Sequence, residues 1–308
     1  MTNANAQVDV VCIASWNADL ISHVTRPINR GETLMASAFN ISPGGKGSNA
    51  SVAAARQGAQ VALVARIGDD SFGQMGMDLW HAEGMETRYV ERASQERSGV
   101  AQILVYDDGD NSIAVYPGAG SGLGRQQVLA AQQLINNCRV VMASCEVPLE
   151  ATLQAFELAK AAGVETLLNP APARPLPAGL LALVDVLTPN ESELFLLAGP
   201  QHSGSVEAAA NHLLALGAGA VLVTLGAAGC CLYQPDQPPV SLAGRNMQVI
   251  DTIGAGDTFT GTLAAALARG ESLPAAMQWA NAAAALSVTR EGAVAGIPLR
   301  AEVEALLA

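Results

Sequence analysis

The most constraining feature of this sequence is a regular alternation of short apolar runs with alanine-rich segments. Residues 8–15 read V-D-V-V-C-I-A-S, an almost uninterrupted apolar run typical of a strand that is covered on both faces. Strand-like and helix-like segments then alternate to the end of the chain, as in βαβ units with right-handed crossovers. The sequence therefore predicts an α/β fold with a mostly parallel sheet.

The alternation predicts a definite order of elements. Predicted strands span residues 8–15, 61–67, 140–144, 164–169, 186–188, 220–225, 230–233 and 240–242. Predicted helices span residues 50–57, 71–83, 125–136, 149–162, 191–198, 206–216, 258–269, 274–289 and 299–307.

Two segments interrupt this order. Residues 21–42 and 99–116 contain short strand-like runs, and D-D-G-D-N at 107–111 is a strong hairpin signal in the second segment. We expect these segments, about residues 17–43 and 98–117, to pair into a small β lid inserted in a single domain of residues 1–308.

Composition excludes several classes of partner. The chain has 308 residues, half of them apolar, and a net charge of −12 with no run of Lys or Arg. This argues against nucleic acid or an anionic membrane as a partner. No apolar stretch reaches the roughly 20 residues of a membrane span, and residues 1–7 lack a signal-peptide core. We expect a cytoplasmic protein.

The cysteines have no zinc-like spacing. Cys12, Cys138, Cys145, Cys230 and Cys231 lie mostly in apolar runs, which favours reduced core residues. Cys145, beside Glu146, is an alternative nucleophile, although no His lies near it in sequence. The four His residues form no ligand pair in the sequence.

Residues 249–261, V-I-D-T-I-G-A-G-D-T-F-T-G, predict a reaction centre. Gly254, Ala255 and Gly256 precede an alanine-rich helix, whose first N–H groups and dipole form an anion site. Asp257 beside an anion site suits a base that takes a proton from an attacking hydroxyl. A helix N-cap explains the same residue equally well.

Further polar residues follow predicted strands, where ligands bind in open α/β sheets. They are Asn17, Asp19, Glu146, the segment 190–193 and Thr224. Each alone could be a turn or cap residue, but several along one edge favour a site. The loop G-G-K-G-S-N at 44–49 is neither a P-loop nor a Rossmann fingerprint.

The motifs at 17–19, 44–49, 190–193 and 251–259 occur in an order that resembles the ribokinase-like carbohydrate kinase family along the whole chain. The resemblance implies an ATP-dependent sugar kinase with a three-layer α/β/α core and a β lid that pairs two subunits. It also implies ATP, Mg²⁺ and a K⁺ activator as cofactors.

The resemblance assigns roles to individual residues. Asp257 would be the catalytic base, with N–H groups of Gly254, Ala255 and Gly256 stabilising the transferring phosphoryl. The sugar contacts would be Asn17, Asp19, Gly45, Lys46, Asn49, Glu146 and Asp257. Asn190 and Glu193 would help to hold the magnesium-bound phosphates, and Thr224, Gly226, Gly229 and Asn281 would surround ATP. The K⁺ shell would be Asp251, Ile253, Ser287, Arg290, Gly292 and Gly296.

Four departures from the family pattern bear on the substrate. They are Asn281 where many members have His, Ser48 where they have Ala, the run G-A-G at 118–120, and Trp16 in place of a smaller residue. We expect Trp16 and the lid strand that ends at Tyr116 and Pro117 to lie near the sugar. The expected reaction is phosphorylation of the terminal 5-hydroxyl of D-ribose. The alternatives are deoxyribose, another pentose, fructose or a nucleoside as substrate, or a non-catalytic sugar- or nucleotide-binding regulator.

Overall fold

Thirteen strands and eleven α-helices form along residues 7–308, the part of the chain that the structure, a computed structural model, describes. The strands are β1 Val10–Ala14, β2 Asn17–His23, β3 Ala38–Gly44, β4 Val61–Gly68, β5 Glu86–Ala93, β6 Gly99–Val105, β7 Asn111–Tyr116, β8 Val140–Ser144, β9 Glu165–Asn169, β10 Val186–Leu187, β11 Val221–Thr224, β12 Gly229–Tyr233 and β13 Val240–Ala243. The helices are α1 Lys46–Arg56, α2 Ser71–Ala82, α3 Arg125–Ala130, α4 Gln132–Ile135, α5 Leu149–Ala161, α6 Glu191–Ala198, α7 Val206–Ala215, α8 Ala255–Ala268, α9 Leu273–Ser287, α10 Ala293–Gly296 and α11 Arg300–Leu307.

The larger sheet has nine strands in the order β13-β12-β11-β10-β9-β8-β1-β4-β5. Its strands from β11 to β5 in this order are parallel, and only β12 and β13 pair antiparallel. The predicted mostly parallel sheet is confirmed.

Helices cover both faces of this sheet because its central strands are apolar on both sides. Val10, Cys12 and Ala14 of β1 pack in a core with α1, α2, α8 and α9. Val11 and Ile13 point the other way, into a second core with α3 to α7. The expected three-layer arrangement is therefore confirmed, with β1 at its centre.

A separate four-stranded sheet has the order β3-β2-β6-β7 and corresponds to the expected lid. Its strand β2 follows β1 after two residues, and β6 and β7 form the predicted antiparallel hairpin. The small sheet thus begins at the carboxyl edge of the large one, where its first residue is Asn17.

The structure differs from the sequence prediction at several elements, among them α10, which was not predicted, and α8, which begins at Ala255 rather than at residue 258. Strand β5 was not predicted, because its alternation carries charged side chains, as edge strands often do. The predicted helix 125–136 is divided at Ala131 into α3 and α4. Helix α1 begins at Lys46 rather than at residue 50, because distant side chains accept hydrogen bonds from its first N–H groups.

Further expectations concern the cysteines, membrane-spanning helices and the N-terminal segment. All five cysteines are unpaired and buried, and burial raises the pKa of the Cys145 thiol to about 11, which argues against a nucleophilic thiolate. Within residues 7–308 no helix has the length and apolar character needed to cross a membrane. The sequence predicts that residues 1–7 lack a signal-peptide core. Residues 1–6 of this segment lie outside the described residues.

Candidate active site

Several predicted site residues lie at the carboxyl ends of the parallel strands. Asn17 follows β1, Glu146 follows β8, and Asn190 follows β10. Asn190 forms an isolated parallel bridge with Thr224, the last residue of β11. Because the strands are parallel, these residues meet at one edge of the sheet, which is the edge where such folds bind ligands.

The N-terminus of α8 lies at the same edge. Its N-cap is Gly254, with φ 76° and no side-chain cap. The Ala255 N–H makes a 3.3 Å bond to the Thr252 carbonyl, whereas the N–H groups of Gly256 and Asp257 have no acceptor among the described residues. A Cβ at Gly256 would meet nothing within 4 Å. The helix therefore presents free N–H donors to open space, as an anion site requires.

Asp257 lies in the first turn of α8 and does not cap the helix, so the N-cap interpretation is wrong. Its side chain is buried, and Oδ2 accepts a 3.0 Å hydrogen bond from Nδ2 of Asn49 on α1. Burial raises the pKa of the Asp257 carboxyl to about 6, although the Lys46 charge and the Asn49 hydrogen bond oppose the rise. A buried carboxylate with a pKa near neutrality is suited to receive a proton.

A second acid shares this environment. Burial, together with the charges of Glu146 and Asp257, raises the pKa of Asp19 to about 7. Lys46 supplies the opposing charge, and Asp257 is the main cause that raises the pKa of its ammonium. Since Glu146, Glu193 and Asp19 add to this effect, Lys46 stays protonated.

Backbone contacts shape the wall between the lid and α1. Gly45 has φ 92°, and a Cβ there would lie 2.8 Å from the Ser15 carbonyl oxygen. A Cβ at Gly44 would lie 2.2 Å from Oδ1 of Asp19, so only glycine leaves room for this carboxylate. The structure thus brings the predicted sugar contacts together around Lys46.

Glu146 joins this group through two hydrogen bonds to one oxygen. Its Oε2 accepts from the Lys46 N–H at 2.7 Å and from the Ser15 hydroxyl at 2.6 Å. The sequence prediction did not include Ser15. The available signal was its position as the polar residue that ends the first apolar run. Asn17 and Asp19 follow that run closely and were predicted for this reason.

A cavity of about 190 Å³ lies next to Asp257. Its lining residues are Lys46, Asn169, Ala171, Thr188, Asn190, Glu193, Thr224, Thr252 and Gly254 to Asp257. Asn190 and Glu193 form a capping box at the start of α6. In this box the Asn190 N–H donates to Oε2 of Glu193, which leaves Oε1 without a partner among the described residues. Asn169, Thr188 and Thr252 were not predicted as site residues.

A larger cavity of about 490 Å³ adjoins the first, since Thr224, Thr252, Ala255 and Gly256 line both. The predicted nucleotide residues Thr224, Gly226, Gly229 and Asn281 all line it. Asn281 is buried, and its Nδ2 donates to the Ala243 carbonyl at 3.1 Å. The volume is within the range of about 300–1,000 Å³ usual for small-molecule sites.

The predicted K⁺ residues converge behind the N-terminus of α8. Asp251 accepts from the Ile253 N–H at 2.9 Å and from the Gly292 N–H at 2.8 Å. A Cβ at Gly296 would lie 2.8 Å from the Ser287 carbonyl oxygen and 3.7 Å from that of Arg290. The Arg290 side chain pairs with Glu302, and its carbonyl oxygen is the atom that lies near Gly296.

The Trp16 side chain packs beneath α2. Its indole packs edge-on against Trp80 at 5.4 Å, and Nε1 donates to the Phe72 carbonyl at 3.1 Å. A Cβ at Gly76 of α2 would lie 2.9 Å from its ring. The ring is therefore buried under α2, whereas the Trp16 backbone adjoins Gly45, one of the predicted sugar contacts.

Comparison with known proteins agrees with this architecture. The family model described as pfkB family carbohydrate kinase matches residues 7–300. The chain is 38% identical over 292 residues to a ribokinase of Haemophilus influenzae, covering 94% of this chain and 95% of the relative. It is 36% identical over 294 residues to a deoxyribokinase of Salmonella typhi, covering 94% and 96%.

A solved structure is similar over nearly the whole length. The ribokinase of Arabidopsis thaliana, complexed with ribose and ATP, matches with a TM-score of 0.90 at 31% identity and covers 98% of this chain and 99% of that one. The chain therefore belongs to the pfkB family of carbohydrate kinases.

Proposed function

We propose that the protein is an ATP-dependent kinase that phosphorylates the terminal 5-hydroxyl of D-ribose. The observation that carries the proposal is the buried Asp257 carboxylate, placed beside the free N–H groups of α8 where the two cavities adjoin. The similarity to the Haemophilus ribokinase and to the Arabidopsis enzyme with ribose and ATP supports this substrate pair.

The reaction follows from the positions of the residues. The sugar hydroxyl gives its proton to Asp257, and its oxygen attacks the γ-phosphorus of ATP as the bond to the β-phosphate oxygen breaks. Free N–H groups at the start of α8 stabilise charge on the transferring phosphoryl, and Lys46 lines the same small cavity. The products are the sugar 5-phosphate and ADP.

Mg²⁺ fits the residues that line the small cavity. Glu193 keeps Oε1 without a hydrogen-bond partner among the described residues, and carboxylate oxygen is a preferred Mg²⁺ ligand. Glu193 and Asn190 would hold the ion through its waters. Bound there with ATP, the ion would neutralise charge on the phosphates.

K⁺ fits the region around Asp251. One carboxylate and the carbonyl oxygens around Gly296 form an oxygen-rich cradle that a side chain at Gly296 would fill. Asp251, Ile253, Ser287, Arg290, Gly292 and Gly296 would hold the ion, mostly through backbone oxygens. Its charge would order the loop that leads into α8.

Deoxyribose is a second candidate substrate, because the deoxyribokinase of Salmonella typhi is almost as similar as the ribokinases. A non-catalytic regulator is disfavoured, since a binder does not need a buried acid with a raised pKa beside free N–H donors.

We further propose a homodimer formed through the lid. The strand register puts Phe39, Ile41 and Tyr116 on the face of the small sheet opposite Asp19. These side chains are 60%, 43% and 59% exposed. An apolar face with two open edge strands is a surface that a second copy can cover.

Asp257→Asn tests the assigned base. The substitution keeps the shape of the side chain but removes its ability to accept a proton, so we expect kcat to fall by about 10²–10⁴-fold. ADP formation is measured with D-ribose, 2-deoxyribose, D-fructose and adenosine, and D-ribose should give the highest kcat/KM. Turnover near the parent rate would show that Asp257 is not the base.

The pH dependence follows from the same carboxylate. Because the unprotonated form is active, kcat/KM for ribose should decrease as pH falls through about 6, by about tenfold per pH unit below it. Asp19 also titrates near this range, so Asp19→Asn serves as the control. A kcat/KM that stays flat down to about pH 5 in both folded proteins contradicts the assignment.

Asp251→Ala tests the cation site. It removes the carboxylate that joins Ile253 and Gly292, so we expect activity to lose its dependence on K⁺ and stay low. Rates are measured over a KCl series with the ionic strength held constant. Glu302→Gln, which frees the Arg290 side chain but keeps the carbonyl oxygens, is the matched control. An unchanged K⁺ response in Asp251→Ala excludes the site.

Phe39→Glu tests the dimer. A charge in the centre of an apolar interface is costly to bury, so the variant should be monomeric at concentrations at which the parent is dimeric. Sedimentation velocity measures the mass of each. Leu196→Glu, at a side chain 60% exposed on α6, should remain dimeric. A monomeric parent rules out the proposal.

A further inference from the structure

Ser15 occupies the two-residue connection between β1 and the lid strand β2, and it is only 6% exposed. Its hydroxyl donates to Oε2 of Glu146 at 2.6 Å and accepts from the Gly47 N–H at 3.0 Å. One hydroxyl therefore joins the central strand, the start of α1 and a predicted sugar contact.

This hydroxyl completes the start of α1. The N-cap of α1, Gly45, has no side chain to accept from the first N–H groups of the helix. Glu146 accepts from Lys46, and Ser15 accepts from Gly47. Two residues from other strand ends thus replace the missing cap and hold each other through their own hydrogen bond.

The arrangement fixes the two oxygens of Glu146 differently. Oε2 accepts two hydrogen bonds, one from Ser15 and one from the Lys46 N–H. Oε1 has no hydrogen-bond partner among residues 7–308. A carboxylate held at one oxygen in this way presents the other in a defined direction, as recognition of a sugar hydroxyl requires.

Glu146 needs such donors because its neighbours are acids. The Glu146 charge raises the pKa of Asp19 and also that of Asp257, because the three carboxylates repel one another. Without Ser15, Glu146 would keep one hydrogen bond, from the Lys46 N–H, besides the attraction of the Lys46 ammonium, and the side chain would gain freedom to turn towards solvent.

Ser15 is itself held rigidly. Its carbonyl accepts from the Ser48 N–H at 3.1 Å, and the next residue, Trp16, is fixed under α2 by its bond to Phe72 and its contact with Trp80. The Ser15 backbone is therefore fixed in place, so its hydroxyl can hold Glu146 in one orientation.

We propose that Ser15 is a positioning residue that acts through Glu146 to set the affinity for the sugar and not for the nucleotide. The proposal rests on the proposed function, because it takes Glu146 as a sugar contact. It assigns to Ser15 no contact with either substrate.

Ser15→Ala tests this role. Loss of a hydrogen bond to a charged group should raise KM for ribose by about 10- to 100-fold, while KM for ATP changes by less than about twofold. Ser51→Ala is the matched control, since it removes another buried hydroxyl of the α1 region, which donates to the Gly47 carbonyl at 2.7 Å. It should leave both KM values near those of the parent.

A double mutant separates positioning from packing. In the Glu146→Ala background, Ser15→Ala should add less than about threefold to KM for ribose, because the hydroxyl no longer has a carboxylate to orient. A full additional factor, or an equal rise in the KM values for ribose and ATP, would overturn the proposal.

A crystal structure of Ser15→Ala gives a readout independent of turnover. The Glu146 side chain should leave the position in which it accepts from the Lys46 N–H. An unchanged Glu146 overturns the role of Ser15 even if the parent phosphorylates none of the sugars tested, an outcome that would contradict the proposed function separately.

Discussion

The site depends on the close contact between α1 and α8. Gly261 of α8 lies against the backbone of α1, where a Cβ would come within 2.0 Å of the Ala50 carbonyl oxygen. Gly47 also packs closely on β1, with a Cβ position 2.7 Å from the Ala14 Cα. Because glycines allow these approaches, both helices begin at the same edge of the sheet, and Asn49 can reach Asp257 at 3.0 Å.

This contact also determines the electrostatics of the site. The first N–H groups of α1 are occupied by Glu146 and Ser15, so the free donors at this edge are those of α8, and the chain places acids around them although its net charge is already −12. Burial raises the pKa values of Asp19 and Asp257, the neighbouring carboxylates raise them further, and the Lys46 charge opposes the rise. A triphosphate that enters such a site needs cations of its own, and Glu193, whose Oε1 has no hydrogen-bond partner among the described residues, lines the small cavity.

Local sequence patterns were sufficient for much of this structure. Apolar runs and alanine-rich segments predicted the parallel sheet and its helices, because a strand that is buried on both faces is apolar at nearly every position. Edge strand β5 was missed because its exposed side chains are charged. The start of α1 was missed because its first donors are satisfied by Glu146 and Ser15, which are remote in sequence.

The residues of the candidate site also fall into two groups: those in a contiguous sequence motif, and those that only the fold brings together. Asp257 and its glycines form a contiguous motif, so the sequence could point to them, but it could not decide between base and helix cap. That choice depends on where α8 begins and on burial by α1, which are tertiary facts. Asn169, Thr188 and Thr252 enter the small cavity from three separate segments and have no pattern of their own.

The departures at Trp16 and Ser48 show how tertiary contacts change the meaning of a residue. In the sequence they are two unrelated changes, and Trp16 weakens the case for ribose. In the structure they are linked, because Trp16 packs edge-on against Trp80, whose Nε1 donates to the Ser48 hydroxyl at 2.9 Å. Gly76 leaves the space that the larger ring needs. The Trp16 ring is therefore accommodated under α2 although its backbone adjoins Gly45, so the size of the ring is no reason to exclude ribose.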